Sequence, residues 1–384
     1  MEATNGDDTL ANPAEQNGAD RVAVHSRRQV LAGATYGLGA TMVLGRPLLD
    51  LMPGGHDHAP KAMALRDRGA DVTRLAGGGQ PRSVCMGHGR MLVVGIGDDG
   101  EPVSWTRARG TRWSAHTLDR PAPGEPDVWG VATHRRRFVA VGSMLQRQVR
   151  DIVADRSVPG DQATVTFTAG RRVPTVWWTS DGVSWSGRML DGVDEPHAQL
   201  ISISCNSERL VAVGSTLDAD GVQGDAALVL VSDDHGRTWR RGEIATADTS
   251  LAEGSLTGVV TSRGRWFATS SDMDGGALWA SDDGLRWSSV ASSARQFRGI
   301  TLQGIGVRRG RFYVAGTTLA DHRPRYFTSH DGGRSWHRLR PGPRTLTGDD
   351  VTVSDLTAAT NGVVVVGTHG GKPVIEGGAA DVGH

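Results

Sequence analysis

The chain has 384 residues with 42 basic against 42 acidic side chains, a balance that offers no electrostatic case for a nucleic-acid or anionic-membrane partner. Its length allows one large all-β domain or two ordinary ones. Gly is abundant at 53 residues, Trp at 11 outnumbers Phe at 6 and Tyr at 3, and few segments show helical periodicity, so short strands and turns are expected to dominate.

Residues 1–25 are polar and acidic, and Arg27-Arg28 then precedes AGATYGLGATMVLG, an uncharged and mildly apolar run. Paired arginines before a weak apolar run resemble a twin-arginine export signal, with Val30 and Ala32 departing from the usual Phe and Lys of that motif. The run is shorter than the ~20 residues needed to span a bilayer. Ala62-Met63-Ala64 offers a small-x-small cleavage site that leaves Leu65 as the mature start, and no Cys follows the run to carry a lipid. The expectation is a protein exported already folded, soluble outside the membrane and without an anchor after cleavage.

From residue 70 onward one pattern recurs. An apolar strand reads RMLVVG at 90–95, RFVAVG at 137–142, RLVAVG at 209–214, RWFATS at 265–270, RFYVAG at 311–316 and GVVVVG at 362–367. The steps are 47, 72, 56, 46 and 51 residues, the long one holding an insertion from Leu145 to Arg172. A shorter strand precedes each run (SVCMG, VWGVAT, ISISCN, LTGVVT, TLQGIGV and VTVSDL), and a further apolar strand follows it. That third strand ends in an octapeptide, complete in SDDHGRTW (Ser232, Asp234, Gly236, Trp239) and SHDGGRSW (Ser329, Asp331, Gly333, Trp336). Shortened copies hold Asp181 with Trp185 and Asp283 with Trp287, while the first copy has Ala108 where Asp belongs. Each Trp opens a fourth strand.

A four-stranded meander repeating every roughly 40–50 residues is the sequence mark of a β-propeller blade. The sixth unit ends without its fourth strand, and the short strand near residues 70–75 has no partner of its own. It is predicted to supply the missing strand and close the ring, removing two free sheet edges. The expected fold is all-β, a six-bladed β-propeller of four-stranded antiparallel blades in one domain over 65–384. Seven blades is the other count considered.

The octapeptides resemble the Asp-box, or BNR repeat, of sialidases, over nearly all of residues 70–384. Photosystem assembly factors, sortilin-type receptors and xyloglucanases share that context, so the resemblance implies a fold rather than a reaction. In the turn, Asp is expected to accept the local N–H groups, Gly to supply a positive φ, and Trp to pack between blades. By the resemblance these turns lie on the face opposite the substrate site.

A sialidase resemblance also implies an arginine cluster for the sialic acid carboxylate, an Asp acid/base and a Tyr–Glu nucleophile pair. The nearest match to that family's Arg-Ile-Pro is Arg172-Val173-Pro174, and Glu195, His197 and Tyr326 are the other catalytic candidates, none in the family's usual context. Acids recur between the second and third strands: Asp98, Asp218, Asp220, Asp272, Asp274 and Asp321 either line a ligand rim or simply form hairpin turns. The Leu145–Arg172 insertion is expected to be a loop, either functional or disordered. Cys85 and Cys205, at equivalent places two blades apart, are expected to stay unbridged, and no metal or cofactor is expected. The reading is a monomeric binding or assembly module for a glycan or protein partner, with no nucleic acid. Sialidase-type hydrolysis of extracellular glycans and another propeller enzyme are the alternatives.

Overall fold

The apolar runs pair antiparallel with their chain neighbours, and the computed structural model arranges them as six sheets. It describes residues 73–379 apart from 76–77, 109–110, 155–162, 191–192, 194–196, 218–223, 246–253, 291–292, 340–345 and 360–361. Strands a to d of blade I are Gln80–Gly87, Arg90–Ile96, Pro102–Ala108 and Ser114–Thr117; those of blade II are Glu125–His134, Arg137–Ala154, Ala163–Thr179 and Ser186–Met189. Blade III takes Ala198–Cys205, Leu210–Leu217, Gly224–Ser232 and Arg240–Arg241, and blade IV takes Ser255–Ser262, Arg265–Ser271, Gly276–Ser281 and Arg286–Ser289. Blade V takes Ile300–Arg308, Arg311–Thr318, Pro324–Ser329 and His337–Arg338; blade VI takes Val351–Ala359, Gly362–His369 and Lys372–Ala379. The fourth strand of blade VI is Thr73–Arg74, antiparallel to strand c with Thr73 opposite Ile375 and Arg74 opposite Val374. The ring is a six-bladed β-propeller closed by its N-terminal strand, as the repeat count predicts.

Two departures from the simple meander appear. Blade IV gains a fifth outer strand, Glu243–Ile244, which leaves blade III and pairs parallel with strand d of its neighbour. The insertion in blade II continues strands b and c as an antiparallel ribbon, with Gln146 opposite Arg171 and Ala154 opposite Ala163. The expectation of a loop is corrected there: alternating Thr164, Val165, Thr166, Phe167 and Thr168 is a strand pattern carried past the blade.

The core is divided rather than single, with one apolar cluster in each of the seams between neighbouring blades. Leu118, Leu190 and Leu339 each follow a strand d and turn inward, fixed by N–H bonds of 2.8–2.9 Å to Pro102, Pro174 and Tyr326 carbonyls. Leu75 does the same after the closing strand and is 5% exposed in the seam between blades VI and I. Removing apolar area from water at ~25 cal/mol per Å² is what holds the blades side by side.

Every strand a carries a β-bulge at one equivalent point. The extra residues are Arg82, Trp129, Ile201, Thr257, Gln303 and Ser354. A bulge sharpens twist, which inner strands packed ring-fashion require. The residue after each bulge faces the next blade. Ser83 accepts the N–H of Val131 at 3.2 Å, and Ser202 accepts that of Val259 at 3.1 Å. Asp355 closes the ring, its Oδ2 taking the Ser83 hydroxyl at 2.9 Å and the Val84 N–H at 3.1 Å while Oδ1 takes Leu356 N–H at 2.7 Å. At Gly304 the next blade comes so near that a Cβ would stand 2.7 Å from Asp355 Oδ1 and 2.8 Å from Leu356 N.

The octapeptides form the turns between strands c and d. Asp234 Oδ1 takes the Ser232 hydroxyl at 2.9 Å and the Thr238 N–H at 2.8 Å, Gly236 N–H bonds Ser232 Oγ at 2.8 Å, and Trp239 Nε1 reaches Gly236 O at 3.2 Å. Asp331 repeats this with Ser329 at 2.8 Å and Ser335 N–H at 2.9 Å, and Trp336 bonds Gly333 O at 3.1 Å. In the shortened copies Asp181 takes Val183 and Ser184 N–H at 2.8 and 3.0 Å, and Asp283 takes Leu285 and Arg286 N–H, both at 2.8 Å. Trp185 reaches back to Ser104 of blade I at 3.0 Å, and Trp287 bonds Gly284 O at 3.0 Å. Where Ala108 stands, Thr111 replaces the carboxylate, its Oγ accepting Ala108 N–H at 3.1 Å, and the buried Nε1 of Trp113 finds no partner.

Candidate functional site

The bulges and the strand registers bring one charged cluster together at the start of the inner strands of blades I and II. Asp127 sits two residues before the blade II bulge and opposite Ser143 in register. Its Oδ2 takes the Trp129 indole N–H at 3.0 Å and Arg172 Nη1 at 3.3 Å; its Oδ1 takes Arg82 Nη1 from the neighbouring blade. Arg172 Nη1 also donates to Ser143 Oγ at 3.1 Å. The Arg82 guanidinium lies 3.8 Å over the Trp129 ring, a cation–π contact between the bulge residues of adjacent blades. The side chains of Arg82 and Arg172 are 5% and 4% exposed, that of Asp127 17%. Buried guanidinium groups are costly unless paired with a carboxylate, and both arginines share Asp127. The buried polar atoms without a partner include Arg172 Nε and, on the inner strands, Gln199 Oε1 and Gln303 Oε1.

The sequence candidates are placed unevenly. Arg172 enters this cluster, while Arg82, Asp127 and Trp129 escaped sequence reasoning because neither a fixed spacing nor a motif marks a bulge. Tyr326 lies elsewhere, in the seam between blades V and VI, where its hydroxyl donates to Leu346 O at 2.7 Å. Burial, then the nearby Glu376 charge, pushes the Tyr326 pKa well above 10, the opposite of what a tyrosine nucleophile requires. Leu346 N–H in turn bonds Glu376 Oε2 at 3.0 Å, so this tyrosine and glutamate clamp one backbone unit. The His197 carbonyl accepts Leu217 N–H at 2.9 Å, and Glu195 lies outside the described residues.

Most of the described acids between strands b and c serve their own turns. Asp272 Oδ1 takes the N–H of Asp274 and Gly275 at 2.8 and 3.0 Å, and burial raises its pKa. Asp321 binds the Thr318 hydroxyl and Arg325 at 3.3 Å. Asp98 and Asp99 line a cavity of about 220 Å³ floored by Val103, Trp105 and Ala115. Asp218, Asp220 and the leader residues Arg27, Arg28 and Ala64 lie outside the described residues. Cys85 and Cys205 are buried free thiols on either side of Thr133, and burial raises the Cys85 pKa to about 12.

No family model matches the chain, and no curated protein matches it. Among solved structures, Trypanosoma rangeli sialidase in complex with sialic acid superposes with a TM-score of 0.50 at 11% identity, over 84% of this chain and 59% of that one. Hadza microbial sialidase Hz136 gives 0.55 at 14% identity, over 79% and 65%. The likeness is to sialidase β-propellers. YjhT matches at 0.50 and 11% identity over 80% of this chain and 95% of its own. The chain spans about three fifths of the length of the two sialidases, and identities this low speak for the fold alone.

Proposed function

We propose that the protein is a non-hydrolytic binding propeller, with the Asp127 cluster at the centre of its ligand face. One observation carries this. The two arginines that converge at the inner strands already grip a carboxylate of their own chain, and the Tyr326–Glu376 pair sits in another seam, bound to backbone. A hydrolase of the sialidase type needs free arginines and an exposed tyrosine on one centre. The turns between strands c and d are read as Asp-boxes, on the strength of their Ser–Asp–Gly–Trp bonding. The leader is read as a twin-arginine export signal, which makes the propeller extracytoplasmic and free of an anchor once cleaved. Its partner is a glycan or a protein, met by a monomer.

The second reading, a sialidase-like hydrolase, is favoured by the convergence of Arg82 and Arg172 and by the fold. Incubation of the purified protein with a fluorogenic sialoside separates the two. The substrate is expected to stay intact. Turnover that disappears in Arg172→Ala would establish the hydrolase and sink the binding reading.

A further inference from the structure

The hairpins between strands a and b share a face with the octapeptide turns, as the bonds of Arg90 to Asp181 O and Arg209 to Asp283 O show. That face lies opposite the start of the inner strands, and its hairpins are built of arginine. Arg135, Arg263 and Arg309 stand at φ of +53°, +53° and +50°, in two-residue turns where Asn or Gly would sit unstrained. A high arginine content does not by itself place arginine at such positions, and strained residues call for a reason at the surface.

Arg135, Arg136, Arg137, Arg263 and Arg309 are exposed, and none forms an ion pair among the described residues. Glu208 is the one acid on these hairpins among the described residues. The neighbouring acids are committed: Asp234 and Asp331 to their own turns, Asp233 to Arg209 at 2.5 Å and Asp282 to Arg265 at 2.5 Å. Arg263 reaches the next hairpin, its Nη2 only 2.7 Å from where a Cβ on Gly310 would stand. The arginine hairpins of blades IV and V therefore lie side by side. Burial lowers the pKa of His88, a backbone hydrogen bond at Arg137 opposes this, and the charges of Arg90 and Arg136 lower it further.

The arginine hairpins of blades II, IV and V are tight two-residue turns. The arginines spread over blades II, IV and V instead of following a track, and the only large apolar side chains exposed among the described residues are Val183, on this face, and Met273. We infer that this face docks on an anionic lipid bilayer, with Arg135, Arg136, Arg263 and Arg309 meeting headgroup phosphates. The balanced charge total, which argues against such a surface, averages over both faces and is blind to placement.

The test is co-sedimentation of the full chain with vesicles of phosphatidylcholine alone and of phosphatidylcholine mixed with phosphatidylglycerol, at low and physiological salt. It is repeated with the triple variant R135N/R263N/R309N and with Arg323→Asn on the other face. Asn accepts the left-handed turn, so the triple variant should fold; melting curves confirm it, and R309N alone, losing about fivefold, serves if it does not. Binding is expected only to the anionic vesicles, weakened by salt, unaffected by Arg323→Asn and reduced on the order of a hundredfold by the triple variant. Equal binding to both vesicle types, or full binding by the triple variant, overturns the proposal. Preference for duplex DNA over anionic vesicles in competition also overturns it, in favour of a nucleic-acid partner.

Discussion

At the scale of single residues, two sets of carboxylates respond to pH in opposite directions. Asp355 is fully buried at the closing seam and accepts three donors, yet burial raises its pKa well above the ordinary value. Folded protein therefore holds a proton that unfolded chain releases. Its contribution is fully present at low pH and falls as pH rises through the folded pKa. Asp355→Ala leaves the Val84 and Leu356 N–H groups buried without acceptors and should cost about 2–5 kcal/mol. Urea titrations at several pH values measure this; a loss below about 1 kcal/mol would remove Asp355 from the closure argument. The octapeptide acids behave in reverse. The N–H groups of Val183 and Ser184 hold Asp181 at about 2. Burial opposes this at Asp234, but the Thr238 hydroxyl and N–H bring it to about 2 as well. Stability from these turns is present above the unfolded carboxylate pKa and is lost as pH falls from about 4 towards 2. Asp234→Asn should flatten that limb of the melting temperature against pH, and an unchanged acid limb would refute the assignment.

At the scale of elements, what was legible is what repeats. The apolar runs ending in Gly and the octapeptides mark positions where each blade needs the same backbone geometry, so six strands b could be placed from spacing, and the unpartnered strand near residues 70–75 could be assigned to close the ring. The bulges could not. Their extra residues are Arg82, Trp129, Ile201, Thr257, Gln303 and Ser354, which share no chemistry because the bulge is imposed by crowding at the axis and not by the residue occupying it. The Arg82–Asp127–Arg172 cluster was hidden for the same reason: it joins a bulge of one blade to strands a and c of the next. Glu243–Ile244 is a two-residue strand without any pattern of its own. The Thr73–Arg74 strand makes an equally short pairing, yet its removal exposes the edge of strand c and takes Leu75 from the core. A chain lacking residues 1–75 should melt lower and self-associate. Scanning calorimetry with size-exclusion chromatography checks this, and an unchanged monomer would show closure by that strand to be dispensable.

At the scale of the whole molecule, ring closure makes every blade an interior blade. Each seam has its own apolar cluster and each is flanked by two neighbours, so no terminal repeat is left to fray as it would in an open array. The two faces then divide the work. One gathers the inner-strand cluster and the long blade II ribbon; the other presents the arginine hairpins and the octapeptide turns.

Because blade VI is assembled from both ends of the described chain, with Thr73 beside Ile375, the order in which the blades are translated is separable from the object they form. Circular permutants that join those ends through a short linker and open at a turn between strands b and c would restore the same six seams from a different starting point. The chain's history would then be written in its order of synthesis, and its architecture only in which blade neighbours which.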